Sequence, residues 1–147
     1  MGTLMKGVSV HKLRQIAVPK GNVFLAMKAT DIGYAGFGEA YFSQIEHGAV
    51  KGWKKHNIAV LNIVVPLGKI RFIIYDDRQA SDTFGQFKEI ILSADSEYKR
   101  LTLAPGLWMA FQGLGDEYSM LLDIISEPHT PEEADSLPLD SLGFNFL

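Results

Sequence analysis

The chain has 147 residues, a formal net charge of -3 and no cysteine. This length suits one domain with a substantial core, so we expect residues 1–147 to form a single domain. The acidic balance argues against nucleic-acid binding, and the lack of cysteine excludes disulfides and thiolate-bound metal. No segment reaches the roughly 20 apolar residues of a membrane span, and the N-terminus lacks a secretory signal, so the sequence predicts a cytoplasmic protein.

Short strands separated by turn signals fill most of the chain, at a spacing typical of antiparallel sandwiches and barrels. Pro66 and Gly68 mark a tight hairpin turn between two of them. Helix signals are scarce, and the best is HTPEEADSL, where Thr130 can cap and Pro131 suits the first helical position. Glu132 and Glu133 follow where the helix dipole favours anions. We therefore predict an all-β jelly-roll barrel with one short C-terminal helix. In chain order, the predicted strands are NVFLAMKA (22–29), EAYFSQIE (39–46), one within GAVKGWKKHN (48–57), NIAVLNIVV (57–65), KIRFIIYDD (69–77), QFKEIILS (86–93), YKRLTLA (98–104) and EYSMLLDII (117–125).

The stretch GAVKGWKKHN, residues 48–57, is the strongest candidate for a functional strand. Side chains alternate across a strand, so Gly52, Lys54 and His56 should share one face, with Lys51 on the other. Asn62 joins Lys54 and His56 if the alternation continues unbroken, and it interrupts an apolar run. Such a lysine can hold phosphate or carbonyl oxygen or act as a base, and a histidine can transfer protons near neutral pH. The alternative interpretation is a solvated basic edge.

Four further side chains allow both a structural and a functional interpretation. Arg71 and Tyr75 share one face of their strand, either lining a pocket or pointing outwards. Trp108 follows a Pro-Gly turn, where an aromatic ring stacks on a base or sugar or packs in the core. Asp123 lies within an apolar strand, as a structural partner for a cation or as a site residue. The four histidines form no H-x-H pair, so we expect no metal site.

Several motifs, taken together and in order, resemble those of the dTDP-4-dehydrorhamnose 3,5-epimerase family of the cupin superfamily. GAVKGW is similar to its G-x-x-[RK]-G-[LW] strand, and YDDR, SDTFGQF and ILSAD are similar to its central run. LTLAPGLWMAF resembles its I-P-x-G turn, and LPLDSLG resembles its closing motif. The resemblance covers residues 21–143. It implies a cupin-type jelly-roll barrel, a homodimer, a nucleotide-diphosphate 4-keto-6-deoxy sugar as substrate, and no cofactor.

The resemblance also implies roles for particular residues. The position of the family's catalytic histidine is occupied by Lys54, with His56 two residues further on the same predicted face. Asp140 matches the carboxylate that orients the base, and Lys51 matches a phosphate contact, which Arg71 would share. The tyrosine that acts as the family's proton donor would fall near residues 127 and 128, where this chain has no tyrosine.

These matches imply an altered epimerase or isomerase with Lys54, His56 and Asp140 as catalytic residues. Its substrate contacts would come from Lys51, Asn62, Arg71, Tyr75 and Trp108. A non-catalytic relative that binds a glycan or sugar nucleotide, or scaffolds a partner enzyme, is the main alternative. A 3,4-ketoisomerase, which shares the barrel, would be expected to show a histidine pair in the strand that here contains only His56.

Overall fold

The computed structural model describes residues 4–147 and consists almost entirely of antiparallel strands. A single 3-10 turn, Pro131–Glu133, precedes the last strand. The strands are β1 (Val8–Lys12), β2 (Gln15–Ile16), β3 (Val23–Phe24), β4 (Glu39–Glu46), β5 (Val50–His56), β6 (Leu61–Leu67), β7 (Lys69–Tyr75), β8 (Phe87–Ser93), β9 (Lys99–Leu103), β10 (Trp108–Gly113), β11 (Tyr118–Ile125) and β12 (Ala134–Ser136).

Two five-stranded sheets face each other. Sheet I has the strand order β1-β9-β6-β11-β4, and sheet II has the order β12-β5-β10-β7-β8. Strands β2 and β3 form a separate small hairpin. The prediction of an all-β, cupin-type jelly-roll barrel is confirmed. The core between the sheets is built from fully buried apolar side chains of both, including Ile63, Leu101 and Leu121 of sheet I and Ile70, Phe72, Ile74 and Leu92 of sheet II.

Strand β7 shows how the two-residue period builds this core. Ile70, Phe72 and Ile74 are all 0% exposed and point between the sheets, because alternate side chains of a strand share a face. The turn that precedes β7 contains Gly68 with φ +81°, and a Cβ there would lie 2.2 Å from Ser119 Oγ. Glycine is therefore required for this tight connection between β6 and β7.

The outer face of sheet II is covered by residues 137–147. Trp53 is 1% exposed and contacts Phe146, with ring centroids 5.8 Å apart. Phe144 and Phe146 pack on each other, with centroids 4.9 Å apart. This cover makes a second apolar layer over Trp53, Ile73 and Trp108, so strands β5, β7 and β10 of sheet II pack against apolar side chains on both faces. In the part of the chain that the structure describes, no helix has the length and apolar character to cross a membrane.

Three local predictions were wrong. Only Val23–Phe24 of the predicted 22–29 strand is extended, and the unpredicted β1 pairs with β9. The expected C-terminal helix is only the 3-10 turn, where Thr130 makes no side-chain cap. β5 ends at His56 and β6 begins at Leu61, so alternation does not carry from one strand into the next.

Candidate active site

A cavity of about 330 Å³ lies between the two sheets. Apolar side chains from both sheets line part of its wall: Leu61, Ile63 and Leu121 from sheet I, and Met109 and Phe111 from sheet II. The polar lining comes from Lys51, Lys54 and His56 on β5, from Tyr41 and Ser43 on β4, from Asp123 on β11 and from Ser136 on β12. A mostly apolar pocket with a few convergent polar groups is the usual form of a small-molecule site.

A β-bulge in β5 brings Lys51 into this cavity. On β10, Met109 pairs with Lys54 and Phe111 pairs with Lys51, so three residues of β5 span the length of two on β10. Lys51 therefore shares a face with Lys54, and the prediction from simple alternation that it lies on the opposite face was wrong. Gly52 occupies the bulge with φ +140°, and a Cβ there would lie 2.6 Å from Ala110 Cα.

His56 is held by a carboxylate that lies 77 residues away in the sequence. Its Nδ1 is 2.5 Å from Glu133 Oε1, and both side chains are less than 10% exposed. The second oxygen, Oε2, accepts hydrogen bonds from three backbone N–H groups, those of Asn57, Ile58 and Ala59, each at 3.0 Å. Glu133 therefore fixes both the ring of His56 and the turn that follows β5.

The electrostatics of this pair define the tautomer of the imidazole. Burial alone would raise the pKa of Glu133, but the hydrogen bonds from His56 and from the backbone N–H groups of Ala59 and Ile58 lower that pKa to about 2. An ionised carboxylate only accepts hydrogen bonds, so Nδ1 of His56 must carry the proton that it donates. The other ring nitrogen, Nε2, is left as the acceptor that a bound molecule can use.

A second titratable pair lies on sheet I. Tyr41 of β4 and Asp123 of β11 are direct cross-strand neighbours, and the Tyr41 hydroxyl donates to Asp123 Oδ2 at 3.1 Å. Within residues 4–147, the other oxygen, Oδ1, is buried and has no hydrogen-bond partner. Tyr41 is 38% exposed, whereas Asp123 is only 4% exposed, so the pair connects the cavity wall to solvent.

The surroundings of Asp123 favour its neutral form. Burial raises its pKa to about 7, and the negative charge of Glu39 adds to this, while the Tyr41 hydrogen bond and the charge of Lys54 act in the opposite direction. Burial and the neighbouring Asp123 raise the pKa of Tyr41. A buried carboxyl with a pKa near neutrality, in a cavity, is a frequent property of functional sites.

Lys51 and Lys54 supply positive charge to different parts of the cavity. Lys51 is exposed, and its Nζ donates to the Gln44 carbonyl at 2.6 Å, which places the ammonium group beside β4. Lys54 is half-buried and close enough to Asp123 for its charge to act on that carboxyl. The cavity therefore has one cation at an exposed position and one in its interior.

The prediction that Asn62 projects into the cavity with Lys54 and His56 was wrong. Asn62 Oδ1 accepts hydrogen bonds from Arg100 Nε at 3.1 Å and Thr102 Oγ1 at 2.6 Å, and its Nδ2 donates to the Gly33 carbonyl at 3.0 Å. Its neighbours Leu61 and Ile63 line the cavity instead. The polar atom in this apolar strand holds the loop that contains Gly33 against the outer face of sheet I.

The structure also places Arg71, Tyr75 and Trp108 outside the cavity. All three belong to sheet II, on the face covered by residues 137–147. Arg71 donates to Gln112 Oε1 at 3.0 Å, the Tyr75 ring lies 4.6 Å from that of Phe87, and Trp108 Nε1 donates to Asp77 Oδ2 at 2.8 Å. For each of them the structural interpretation describes its contacts.

Asp140 does not contact His56. Asp140 is exposed, in a turn of the segment 137–147 that covers sheet II. The carboxylate that contacts the imidazole of His56 is instead that of Glu133, in the 3-10 turn before β12. Glu133 was interpreted from the sequence only as an acidic residue at a helix start, and Tyr41 was not singled out. No local pattern in the sequence links Glu133 to His56, 77 residues away. For Tyr41, the signal was its position on the cavity face of a well-alternating strand.

Among the residues that the structure describes, no three His, Cys, Asp or Glu side chains lie close enough together to hold a metal ion. The polar groups that line the cavity are instead suited to moving protons. The neutral ring of His56 offers Nε2 as an acceptor, Lys54 is a cation two residues before it on β5, and Asp123 is a carboxyl whose pKa is raised to about 7.

Comparison with known proteins supports this description of the fold. No family model matches the chain. A probable low-salt glycan biosynthesis epimerase of Haloferax volcanii is 30% identical over 105 residues, which cover 69% of this chain and 66%, just under two thirds, of that protein. The structure of a dTDP sugar isomerase from Desulfovibrio desulfuricans G20 superposes with a TM-score of 0.93 at 29% identity, covering 97% of this chain and 92% of that one.

More distant solved structures share the fold. A 3'-monoepimerase from Streptomyces bikiniensis, in complex with dTDP-quinovose, has a TM-score of 0.83 at 22% identity and covers 98% of this chain and 77% of that one. A dTDP-4-dehydrorhamnose 3,5-epimerase from Bacillus anthracis, with TDP and pyrophosphate bound, has a TM-score of 0.83 at 19% identity and covers 98% and 87%. At these identities the likeness concerns the barrel and not the chemistry.

Proposed function

We propose that the chain is an acid–base epimerase or isomerase of a nucleotide-diphosphate 4-keto-6-deoxy sugar, as its resemblance to the dTDP-4-dehydrorhamnose 3,5-epimerase family and its likeness to a glycan biosynthesis epimerase and a dTDP sugar isomerase suggest. One observation carries the proposal: His56 lines the cavity with Nδ1 held by the ionised carboxylate of Glu133. A histidine oriented in this way by a carboxylate is the arrangement of a general base. Glu133 takes the orienting role that the family resemblance assigned to Asp140.

The proposed reaction begins with proton removal next to the sugar ketone. His56 Nε2 accepts the proton, and the resulting imidazolium is stabilised by Glu133. The carbonyl oxygen gains negative charge as the enolate forms, and the ammonium group of Lys54 neutralises it. No cofactor is needed for these steps. Lys54 thus occupies the base position of the family but acts as the electrophile here, and His56 replaces the missing histidine.

The dimensions of the cavity suit the sugar rather than the whole nucleotide sugar. A volume of about 330 Å³ lies at the lower end of the roughly 300–1,000 Å³ of ligand pockets. The nucleotide would then lie outside, where the exposed Lys51 can pair with the diphosphate as a point charge. Arg71, Tyr75, Trp108 and Asn62 have no part in this proposal, because their side chains do not reach the cavity.

The biological setting is inferred from the relatives. A relative is named as a glycan biosynthesis epimerase, and others as dTDP-sugar enzymes. We therefore place this chain in deoxysugar or surface polysaccharide biosynthesis, with a nucleotide-diphosphate sugar as its ligand. Assembly as a homodimer and location in the cytoplasm stay predictions.

Proton exchange tests the proposal directly. Wild-type protein is incubated with dTDP-4-keto-6-deoxyglucose in deuterated water, and the hydrogens at C3 and C5 are followed by NMR. We expect deuterium incorporation that falls at least ~100-fold in His56→Ala and Lys54→Ala, because general acid–base groups contribute about that much or more. Lys69→Ala, an exposed lysine at the start of β7, is the matched control and should exchange at the wild-type rate.

Two results would contradict the proposal in different ways. Binding of the nucleotide sugar without exchange would favour the non-catalytic binding module. No binding of the nucleotide sugar at all would reject both functions and leave only the fold.

A further inference from the structure

His56, the proposed base on sheet II, supplies only one of the two proton-transfer groups that epimerisation needs. Inverting a carbon centre needs a proton donor on the side of the sugar ring opposite the base. His56 and Lys54 both project from β5 of sheet II, and neither lies on the facing sheet. The donor must therefore come from sheet I, or from a molecule outside this chain.

We propose that Tyr41 and Asp123 form this donor, with Tyr41 as the catalytic acid and Asp123 as the group that supplies its proton. This inference rests on the proposed function and names the residues that complete it. Both side chains line the same cavity as His56, and both belong to sheet I, on paired strands β4 and β11. A sugar ring between the sheets would have the base on one side and this pair on the other.

The contacts of Asp123 favour a protonated carboxyl group that can donate its proton, rather than the carboxylate of a structural ion pair. It is 4% exposed, its Oδ2 is bonded only to the Tyr41 hydroxyl, and Oδ1 has no partner among residues 4–147. A structural carboxylate in such a position is normally satisfied by cations or several donors, as Asp76 is by Arg78, Ser81 and Thr83. A protonated carboxyl tolerates this setting, and it has a proton to give.

The proton balance of the cycle is complete. His56 Nε2 takes the proton from the carbon next to the ketone, leaving the enolate. Tyr41 gives its hydroxyl proton to the opposite face of that carbon and receives the proton of Asp123 across the 3.1 Å hydrogen bond. The product is inverted, His56 is an imidazolium and Asp123 is a carboxylate. Solvent then takes the proton of His56 and returns one to Asp123 through Tyr41, which is partly exposed.

The charged groups around Asp123 set the pH range of this cycle. Glu39 lies on β4 beside Tyr41, and Lys54 faces Asp123 from β5 together with His56. The neighbouring residue on β6 is the apolar Ile63. Since Asp123 must start protonated, product formation should decline on the alkaline side of about pH 7, where burial places its pKa.

The roles of Tyr41 and Asp123 are tested by measuring deuterium exchange into the substrate separately from formation of the inverted product. Tyr41→Phe and Asp123→Asn are incubated with dTDP-4-keto-6-deoxyglucose in deuterated water, and both deuterium in recovered substrate and inverted product are measured. We expect both variants to keep exchange within about 3-fold of wild type, because His56 is intact, and to lose product formation at least ~100-fold. Asp123→Asn should also abolish the alkaline decline in whatever product forms. Tyr118→Phe, exposed on the same strand β11, is the control and should behave as wild type.

Three outcomes overturn the assignment. Wild-type product formation in either variant shows that the donor is elsewhere. Parallel loss of exchange and product shows that the pair acts before or during proton removal, and not as the donor. If the wild-type protein itself neither exchanges nor converts the substrate, the proposed function fails and the assignment with it, a result distinct from the other two.

Discussion

The substitution Glu133→Gln separates the two tasks of one buried carboxylate. Glu133 orients His56 through Oε1 and anchors the turn after β5 through three backbone N–H groups on Oε2. Glutamine has nearly the same shape but no charge, and its NH₂ group would donate to Nδ1 of His56. The imidazole would then carry its proton on Nε2, the nitrogen that must accept one.

The expected loss of stability follows from the pKa of the carboxyl group. Folding lowers that pKa from 4.5 to about 2, which corresponds to about 3 kcal/mol of stabilisation at pH 7. Because the folded pKa is depressed, this stabilisation is fully present above pH 4.5 and is lost as the pH falls towards 2. At pH 3, only about 1 kcal/mol should be left.

Urea denaturation measures this difference. The free energy of unfolding of wild type and Glu133→Gln is compared at pH 7 and at pH 3, with Glu132→Gln as the matched control. Glu132 is the exposed neighbour in the same 3-10 turn, so its substitution should change stability by less than about 0.5 kcal/mol. The gap between wild type and Glu133→Gln should shrink from about 3 to about 1 kcal/mol on acidification.

Activity gives the second measurement on the same variant. Deuterium exchange into the sugar should fall at least ~100-fold in Glu133→Gln under conditions where the variant is fully folded. Equal stability of the Glu133 and Glu132 variants at pH 7 would refute the electrostatic argument. A gap that does not change with pH would refute it as well. Unchanged exchange would refute the orienting role.

Two further predictions concern the bulge and the second carboxyl. Gly52→Ala should destabilise the fold by at least about 2 kcal/mol and weaken nucleotide-sugar binding, because the added Cβ would collide with Ala110. The control is Gly48→Ala, which has φ +77° but open space around the added Cβ and should keep binding. Urea denaturation measures the stability of both variants, and calorimetry measures their binding. Asp123→Asn should stabilise the protein, since ionising a carboxyl whose pKa is raised to about 7 costs folding energy as the pH rises. The stability advantage of Asp123→Asn over wild type should grow by about 2.5 kcal/mol between pH 5 and pH 8, and a constant difference in urea denaturation would contradict this.

The barrel was predictable because each strand and turn can be recognised from the pattern of its own residues. EAYFSQIE became β4 with the predicted bounds, and the Pro66–Gly68 connection formed the expected hairpin between β6 and β7. Alternating apolar side chains and glycine turns act over a few residues, so they can be recognised in a single sequence. The common face of Lys54 and His56 follows from the same short-range rule.

The partners of those two residues depend on contacts between distant parts of the chain. Glu133 and His56 are 77 residues apart, and Tyr41 and Asp123 are 82 residues apart, so no local pattern links them. The bulge that moves Lys51 into the cavity exists only in the register between β5 and β10. Strand pairing over such separations is decided by the packing of the whole barrel, and alternation alone cannot predict it.

The orientation of the base depends on the pairing of the edge strand β12 with β5. β12 has only three residues, and the 3-10 turn just before it places Glu133 against His56. A short edge strand of this kind opens at a lower free energy than the core between the sheets. The barrel can therefore be intact while proton removal is switched off, and loss of turnover during heating should precede loss of the fold.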